Sequence, residues 1–207
     1  MNKSSRKVFN LTLTAVLSAV AFVLMFVEVP LPFMPAFIKF DISDLPALFG
    51  AFALGPLNGV LIELIKNILH ILLKGTASAA VGELSNFILG SSFALATGFI
   101  YRRKKTLSGA IIAGAAGAAV MGMVCLPINY FVVYPAYVKL YGLPLPAIIG
   151  MYEEIFAPIA EMPTSNSLFN CLLVFNVPFT FAKGVIDALL ATAVYKPLEK
   201  YVNGGGR

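Results

Sequence analysis

The chain has 207 residues, of which 59% are hydrophobic and only 12% are charged. A soluble domain carries about 25% charged residues, so this composition excludes an ordinary soluble fold and indicates an integral membrane protein. The formal net charge of +5 comes mainly from basic residues at the two ends and in one loop. That distribution is typical of membrane topology and excludes a continuous nucleic-acid-binding face.

The first half of the chain predicts four helices. A polar, basic segment over residues 1–7 precedes an apolar run that predicts a first helix from Val8 to about Val27. Three prolines then predict a stiff apolar loop over residues 28–38. Turns at Gly55-Pro56 and Lys74-Gly75-Thr76 divide the apolar stretch that follows. We therefore expect further helices over residues 45–55, 57–73 and 78–101.

The second half predicts two more helices. The basic cluster Arg102-Arg103-Lys104-Lys105 is followed by an apolar run from Leu107 to about Val133. Residues 139–167 read as a long loop, and a last apolar run covers Leu168–Val194. Basic clusters are expected in the cytoplasm, which gives both termini inside and a cytoplasmic tail over residues 197–207. The predicted architecture is one all-α transmembrane domain over residues 1–207, with six helices.

This topology places the long or unusual connections on the outer face of the membrane. They are the proline loop, the turn over residues 74–78 and the loop over residues 139–167. Long connections tend to carry function, so we expect a ligand pocket that opens outward beneath these loops.

Lys183 is the first candidate for function, because a lysine in the middle of an apolar helix is rare and costly in a bilayer. Asp187 lies four residues later on the same helical face, so an internal ion pair is the structural alternative. Asn129 beside Pro127 interrupts the fifth apolar run. Its amide suits a heterocycle edge or a neighbouring helix equally.

Other polar residues lie in the apolar stretch over residues 45–101. Glu83 and Asn86, three residues apart, suit either the same cavity or bonds between helices. Glu63, Lys66 and Asn67 read as a local structural cluster, and His70 without partner ligands is a weak metal candidate. Cys125 and Cys171 read as buried thiols and not as a disulfide or metal site.

The stretch Asp41-Ile42-Ser43-Asp44-Leu45-Pro46 suits a helix start, with Ser43 or Asp44 as the N-cap and Pro46 in the first turn. One cap explains one acidic residue and not two, so a pocket role for the other stays open. Helix one carries Ala15 and Ala19 in a small-xxx-small pattern that lets another helix approach closely.

Several catalytic and nucleotide-binding motifs are absent from the sequence. It has no GxxxxGK[ST] phosphate loop and no HExxH, CxxC or GxSxG pattern. We therefore expect no enzymatic activity, no metal and no cofactor in this chain. Any ATP hydrolysis would have to come from partner subunits.

The series DISDLP, GP, KN, GT and GELSNF, with PFTFAKG in the last helix, resembles the riboflavin-specific S components of energy-coupling factor (ECF) transporters. The resemblance covers nearly the whole chain. It implies capture of riboflavin from outside the cell, with FMN as a second candidate ligand, at a plasma-membrane protein with both termini in the cytoplasm. It also implies docking onto a transmembrane T component driven by two ATPase subunits.

The resemblance further implies roles for individual residues. Ala15 and Ala19 would contact the T component, and Lys183 and Asn129 would contact the flavin. Thr180 departs from the family pattern, in which an asparagine stands three residues before the lysine. The expected substrate-binding residues are Lys183, Asn129, Thr180, Asn86, Glu83, Asp44 and Phe40.

Three alternative functions stay open at this point. A sibling S component for thiamine, biotin or a folate would share the architecture and differ in its pocket. A small intramembrane enzyme would use Glu63, Glu83 or Asp187. A self-sufficient secondary carrier would work without ATPase partners, although the sequence shows no internal repeat of the transporter type.

Overall fold

The computed structural model describes residues 3–76, 78–140, 142–156 and 168–203. Within those ranges the chain is mostly helical, with one short β-hairpin. The elements in chain order are α1 (Lys3–Leu24), β1 (Val29–Pro30), β2 (Lys39–Phe40), α2 (Leu45–Ala53), α3 (Pro56–Leu73), α4 (Val81–Tyr101), α5 (Leu107–Ile128), α6 (Tyr134–Leu140), α7 (Leu145–Phe156), α8 (Leu168–Cys171) and α9 (Val177–Asn203).

Five helical stretches in the described part of the chain are long and apolar enough to cross a membrane. The nine-residue α2 is too short to be one of them, because it extends only about 14 Å against a hydrocarbon core of about 30 Å. The five stretches are Ser4–Leu24, Pro56–Leu73, Val81–Tyr101, Leu107–Leu140 and Leu168–Val194.

Local sequence explains where several helices begin. Pro56 occupies the first turn of α3, where its missing N–H costs nothing, and it follows Gly55 at a φ of +107°. The Thr106 side chain caps α5 by accepting a hydrogen bond from the Gly109 N–H at 3.1 Å. Two residues with positive φ, Ala79 and Ala80, delay the start of α4 beyond the predicted residue 78.

Two helices contain a wider π-helical turn. Residues Asn129–Val133 link α5 to α6, and residues Leu172–Asn176 link α8 to α9. A proline follows each segment two residues later, at Pro135 and Pro178, where its ring and missing N–H disturb a regular α-helix. The helix therefore continues through Asn129 with a wider turn, whereas the sequence suggested an interruption at this residue.

Small residues allow α5 and α9 to pack closely. A Cβ placed on Gly184 would lie 2.9 Å from the Ala118 Cβ, and one on Gly114 would lie 2.6 Å from the Ala188 Cβ. Both distances are too short for a real contact, so these positions require glycine. The buried core beside this interface includes Phe93, Tyr101 and Met121.

Two predicted loops differ in the structure. The proline loop forms an antiparallel hairpin in which Val29 pairs with Phe40 and Pro30 pairs with Lys39. The region expected as a loop over residues 139–167 contains the end of α6 and all of α7. Residue 141 and residues 157–167 of that loop, and the last four residues of the predicted tail, lie outside the described residues.

Candidate functional site: a polar-walled cavity within the bundle

A cavity of about 950 Å³ lies among α4, α5, α6, α7 and α9, beneath the hairpin loop and the connection between α3 and α4. Its volume falls in the range of small-molecule pockets. The lining residues are Glu28, Ala36, Phe37, Ile38, Lys39, Asp41, His70, Lys74, Gly75, Thr76, Ser78, Gly82, Glu83, Ser85, Asn86, Leu89, Met121, Asn129, Val133, Tyr134, Tyr137, Leu143, Ile148, Met151, Asn176, Phe179, Thr180 and Lys183.

The structure brings five of the seven expected substrate-binding residues onto this wall: Glu83, Asn86, Asn129, Thr180 and Lys183. The other two lie outside the lining. Asp44 is buried directly behind Lys183, and Phe40 is half-buried in β2.

The ammonium group of Lys183 is held by a buried carboxylate. Its Nζ lies 2.5 Å from Asp44 Oδ2, and the other oxygen of that carboxylate, Oδ1, lies 2.5 Å from Lys66 Nζ. All three side chains are at least nine-tenths buried. Asp44 was expected as a helix cap or a pocket residue. At the start of α2 it makes no side-chain capping bond and instead joins two lysines from α3 and α9.

Further groups complete this buried network. Lys66 Nζ also donates to Ser43 Oγ at 2.9 Å and lies 2.8 Å from Glu63 Oε2. Lys183 Nζ lies 3.5 Å from Asp41 Oδ1. Lys66 was interpreted as part of a local cluster around Glu63. The structure keeps that contact and adds Asp44, which connects the cluster to the cavity wall.

The alternative ion pair within α9 does not form. The salt bridges of Lys183 run to Asp41 and Asp44, and the carboxylate oxygens of Asp187 have no hydrogen-bond partner among the described residues. The alternative was suggested by helical spacing, which identifies only neighbours on one helix. The stronger partner comes from a distant part of the chain.

Asn129 and Thr180 meet at Cys125, a buried free thiol in the helix before Asn129. The Asn129 Nδ2 donates to the Cys125 carbonyl at 2.8 Å and lies 3.2 Å from its Sγ. Thr180 Oγ1 donates to the same sulfur at 3.2 Å. The two cavity residues are therefore fixed in position from behind.

Glu83 anchors the connection between α3 and α4. Its Oε1 lies 3.1 Å from His70 Nδ1, and its Oε2 accepts hydrogen bonds from Thr76 Oγ1 at 3.0 Å and Ser78 Oγ at 3.2 Å. Both oxygens are thus engaged within the protein. Asn86, one turn further along α4, is half-buried on the same wall.

Sequence reasoning missed a second polar group on the wall. Tyr134, Tyr152 and Asn176 form a closed hydrogen-bonded ring that joins α6, α7 and the second π-helical segment. The signal that could have found Asn176 is its spacing of seven residues before Lys183, which places both on one face of the last helix.

The outer surface of α1 is separate from the cavity. Ala15 and Ala19 are exposed there, together with large apolar neighbours such as Val16 and Val20. Among the described residues, no three His, Cys, Asp or Glu side chains converge in a way that could hold a metal ion. The cavity as a whole combines apolar side chains with polar groups that the protein holds in place, which suits binding and orientation of a small molecule.

Comparison with known proteins gives one family and several relatives. The family model described as the substrate-specific component of ECF transporters matches residues 9–195. The riboflavin transporter RibU of Staphylococcus aureus (strain TCH60) is 31% identical over 188 residues, covering 91% of this chain and 89% of that protein. The riboflavin transporter FmnP of Bacillus subtilis (strain 168) is 29% identical over 197 residues, covering 95% of each chain.

A solved structure supports the same relationship. It is described as the S component of a bacterial ECF transporter and superposes with a TM-score of 0.64 at 29% identity. The match covers 95% of this chain and 98% of the other.

Proposed function

This chain belongs to the substrate-specific components of ECF transporters, and we propose that its cargo is riboflavin, captured from outside the cell and passed on through an ECF-type importer. Members of this family are transporter components and not enzymes. The observation that carries the proposal is the position of Lys183, Asn129 and Thr180 on one wall of the cavity, in a chain whose relatives are named riboflavin transporters.

The chemistry of riboflavin matches this wall. Its flat tricycle is largely apolar, and its pyrimidine edge presents carbonyl oxygens and an imide N–H. Lys183 can donate to a carbonyl on that edge while Asp44 holds the ammonium group from behind. Asn129 and Thr180 border the same region, fixed through Cys125. Asp44 therefore contributes to binding through Lys183, and the flavin is cargo with no redox role.

We further propose that the subunit works with a transmembrane T component and two ATPase subunits. ATP hydrolysis is assigned to those partners because the sequence has no phosphate-binding loop. Ala15 and Ala19 are the proposed docking contacts. Their exposure on α1 supports this role, since small side chains on an apolar helix let another helix approach closely.

The chain is a membrane protein, and its charge distribution supports a finer topology. The clusters at the N-terminus, at Arg102–Lys105 and at Lys196 and Lys200 favour the cytoplasmic side. Five full crossings would separate the termini, so α2 is proposed as a sixth, partial crossing in the plasma membrane. It begins after Asp44, which contacts Lys66 in the interior of α3.

The experiment that tests the cargo is a flavin titration of the purified protein in detergent. We expect a yellow preparation, or stoichiometric quenching of riboflavin fluorescence by the colourless protein. Unchanged riboflavin fluorescence would overturn the proposal. Competition by thiamine, biotin or a folate would then identify another vitamin, and competition by FMN measures how far the site accepts a phosphate.

A second experiment tests docking. Replacing Ala15 and Ala19 by leucine should abolish co-purification with the T component and leave riboflavin affinity unchanged. Val16→Leu, on an adjacent exposed face of α1, is the matched control and should retain the complex. Retention of the complex by the double variant would exclude this docking surface. Riboflavin uptake by vesicles that hold this chain alone would indicate a self-sufficient carrier.

A further inference from the structure

The ring formed by Tyr134, Tyr152 and Asn176 lies at the cavity wall, and the proposed function gives it no role. Tyr152 Oη donates to Asn176 Oδ1 at 2.7 Å, and Asn176 Nδ2 donates to Tyr134 Oη at 3.2 Å. The two tyrosine hydroxyls also contact each other. All three side chains are buried, so their polar atoms need partners.

The number of available protons fixes the direction of each bond. Tyr152 has a single hydroxyl proton, which it gives to Asn176, so the contact between the hydroxyls must use the proton of Tyr134. Both hydroxyl protons and one amide proton are then engaged within the ring. The second N–H of the Asn176 amide has no acceptor within the ring. A buried N–H without a partner is unfavourable, so this donor favours an acceptor in the cavity.

The ring lies at one end of the cavity. Asn176 and Tyr134 line the cavity, whereas Tyr152 lies behind them and is not among the lining residues. Asn176, Thr180 and Lys183 lie on one face of the last helical stretch. Asn176 and Lys183 are seven residues apart, which corresponds to about 10 Å along the helix axis. The wall therefore has two polar ends, a cationic one at Lys183 and an amide one at Asn176.

We propose that Asn176 is a specificity-determining residue that donates its free N–H to the ribityl chain of riboflavin. The inference rests on the proposed function. With the pyrimidine edge at Lys183, the only other oxygens of the ligand are the ribityl hydroxyls, because the dimethylbenzene edge has none. Tyr152 is a positioning residue: it fixes the direction of the Asn176 amide without reaching the cavity.

The test compares two flavins, riboflavin and lumiflavin, in which a methyl group replaces the ribityl chain. Asn176→Asp keeps the shape of the side chain but removes both amide N–H donors, the one toward the ligand and the one to Tyr134. We expect it to weaken riboflavin binding about tenfold, as for one hydrogen bond, and to leave lumiflavin binding unchanged. Asn170→Asp, at a half-buried position on α8 outside the lining, is the matched control.

Tyr152→Phe provides the second variant and decides the question if Asn176→Asp does not fold. It should weaken riboflavin binding by a smaller factor, again without effect on lumiflavin. Equal losses for both flavins, or affinities equal to those of the Asn170→Asp control, would overturn the inference. Failure of the wild-type protein to bind riboflavin is seen before any variant is made, and it would overturn the proposed function as well.

Discussion

Two carboxylates in this chain each lie between two lysines, one at the edge of the cavity and one behind its wall. Glu28 Oε1 accepts hydrogen bonds from Lys39 at 2.7 Å and from Lys74 at 3.0 Å, and the three side chains are 30–40% exposed. Asp44 also contacts two lysines, Lys66 through Oδ1 and Lys183 through Oδ2, but its side chain is only 1% exposed.

The difference in burial gives the two arrangements different roles. An exposed ion pair contributes about 0–1 kcal/mol, because water screens it and the long side chains lose freedom. Removing one partner from a buried pair costs about 3–5 kcal/mol, because a charge is left uncompensated. The exposed contacts of Glu28 connect the hairpin to the turn after α3 and add little to the free energy of unfolding. The inner network determines where the Lys183 ammonium group lies.

The largest expected effect is that of Asp44→Asn. This variant leaves two buried ammonium groups without their shared counter-charge, and we expect a loss of about 3–5 kcal/mol in the free energy of unfolding. Denaturant titration in detergent micelles measures it. The matched variant at the exposed site, Glu28→Gln, should lose at most about 1 kcal/mol. Equal losses for the two variants would remove the distinction between the sites.

A smaller effect is expected for Ser43→Ala. The hydroxyl accepts a hydrogen bond from Lys66 Nζ at 2.9 Å, and Ser43 is fully buried. Its removal should cost about 1–3 kcal/mol of unfolding free energy, since a buried charged donor loses one acceptor. Ser108→Ala, at an exposed position on α5, should be neutral in the same assay. A neutral Ser43→Ala would show that Lys66 does not need this partner.

The smallest effect concerns pH at Glu28. Partial burial raises the pKa of Glu28, but hydrogen bonds and charges from Lys39 and Lys74 outweigh it and lower the pKa below the ordinary 4.5. The stabilisation is therefore fully present above the unfolded-state pKa and is lost as the pH falls through the lower folded-state pKa.

Unfolding of the wild type and of Glu28→Gln, measured across the acid range, checks this direction. Their difference, at most about 1 kcal/mol at neutral pH, should vanish on acidification and shrink in about 1 M salt. A difference that grows as the pH falls would contradict the assigned cause.

The sequence predicted the long apolar helices well because long apolar runs bounded by prolines, glycines and basic clusters leave few other structures. Lys183 and Asn129 were found for a related reason, since polar side chains stand out in apolar helices. Both line the cavity. Their roles as flavin contacts stay predictions.

Partners distant in the sequence could not be predicted in this way. Helical spacing offered only Asp187 as an alternative partner for Lys183, whereas its partner Asp44 lies 139 residues away. The Tyr134–Tyr152–Asn176 ring was missed because tyrosine is common in apolar helices, so its presence does not indicate a polar contact. It also depends on α7, a helix in a region read as a loop, and on a π-helical turn outside the regular 3.6-residue period.

The riboflavin dissociation constant of Lys183→Met is the most direct measurement of the central claim, that the buried network presents this ammonium group to the flavin. Loss of a charge-assisted hydrogen bond should weaken binding by about 10- to 150-fold. Lys139→Met, at an exposed lysine on α6 outside the cavity lining, should bind like the wild type. Equal affinities for the two variants would contradict the claim.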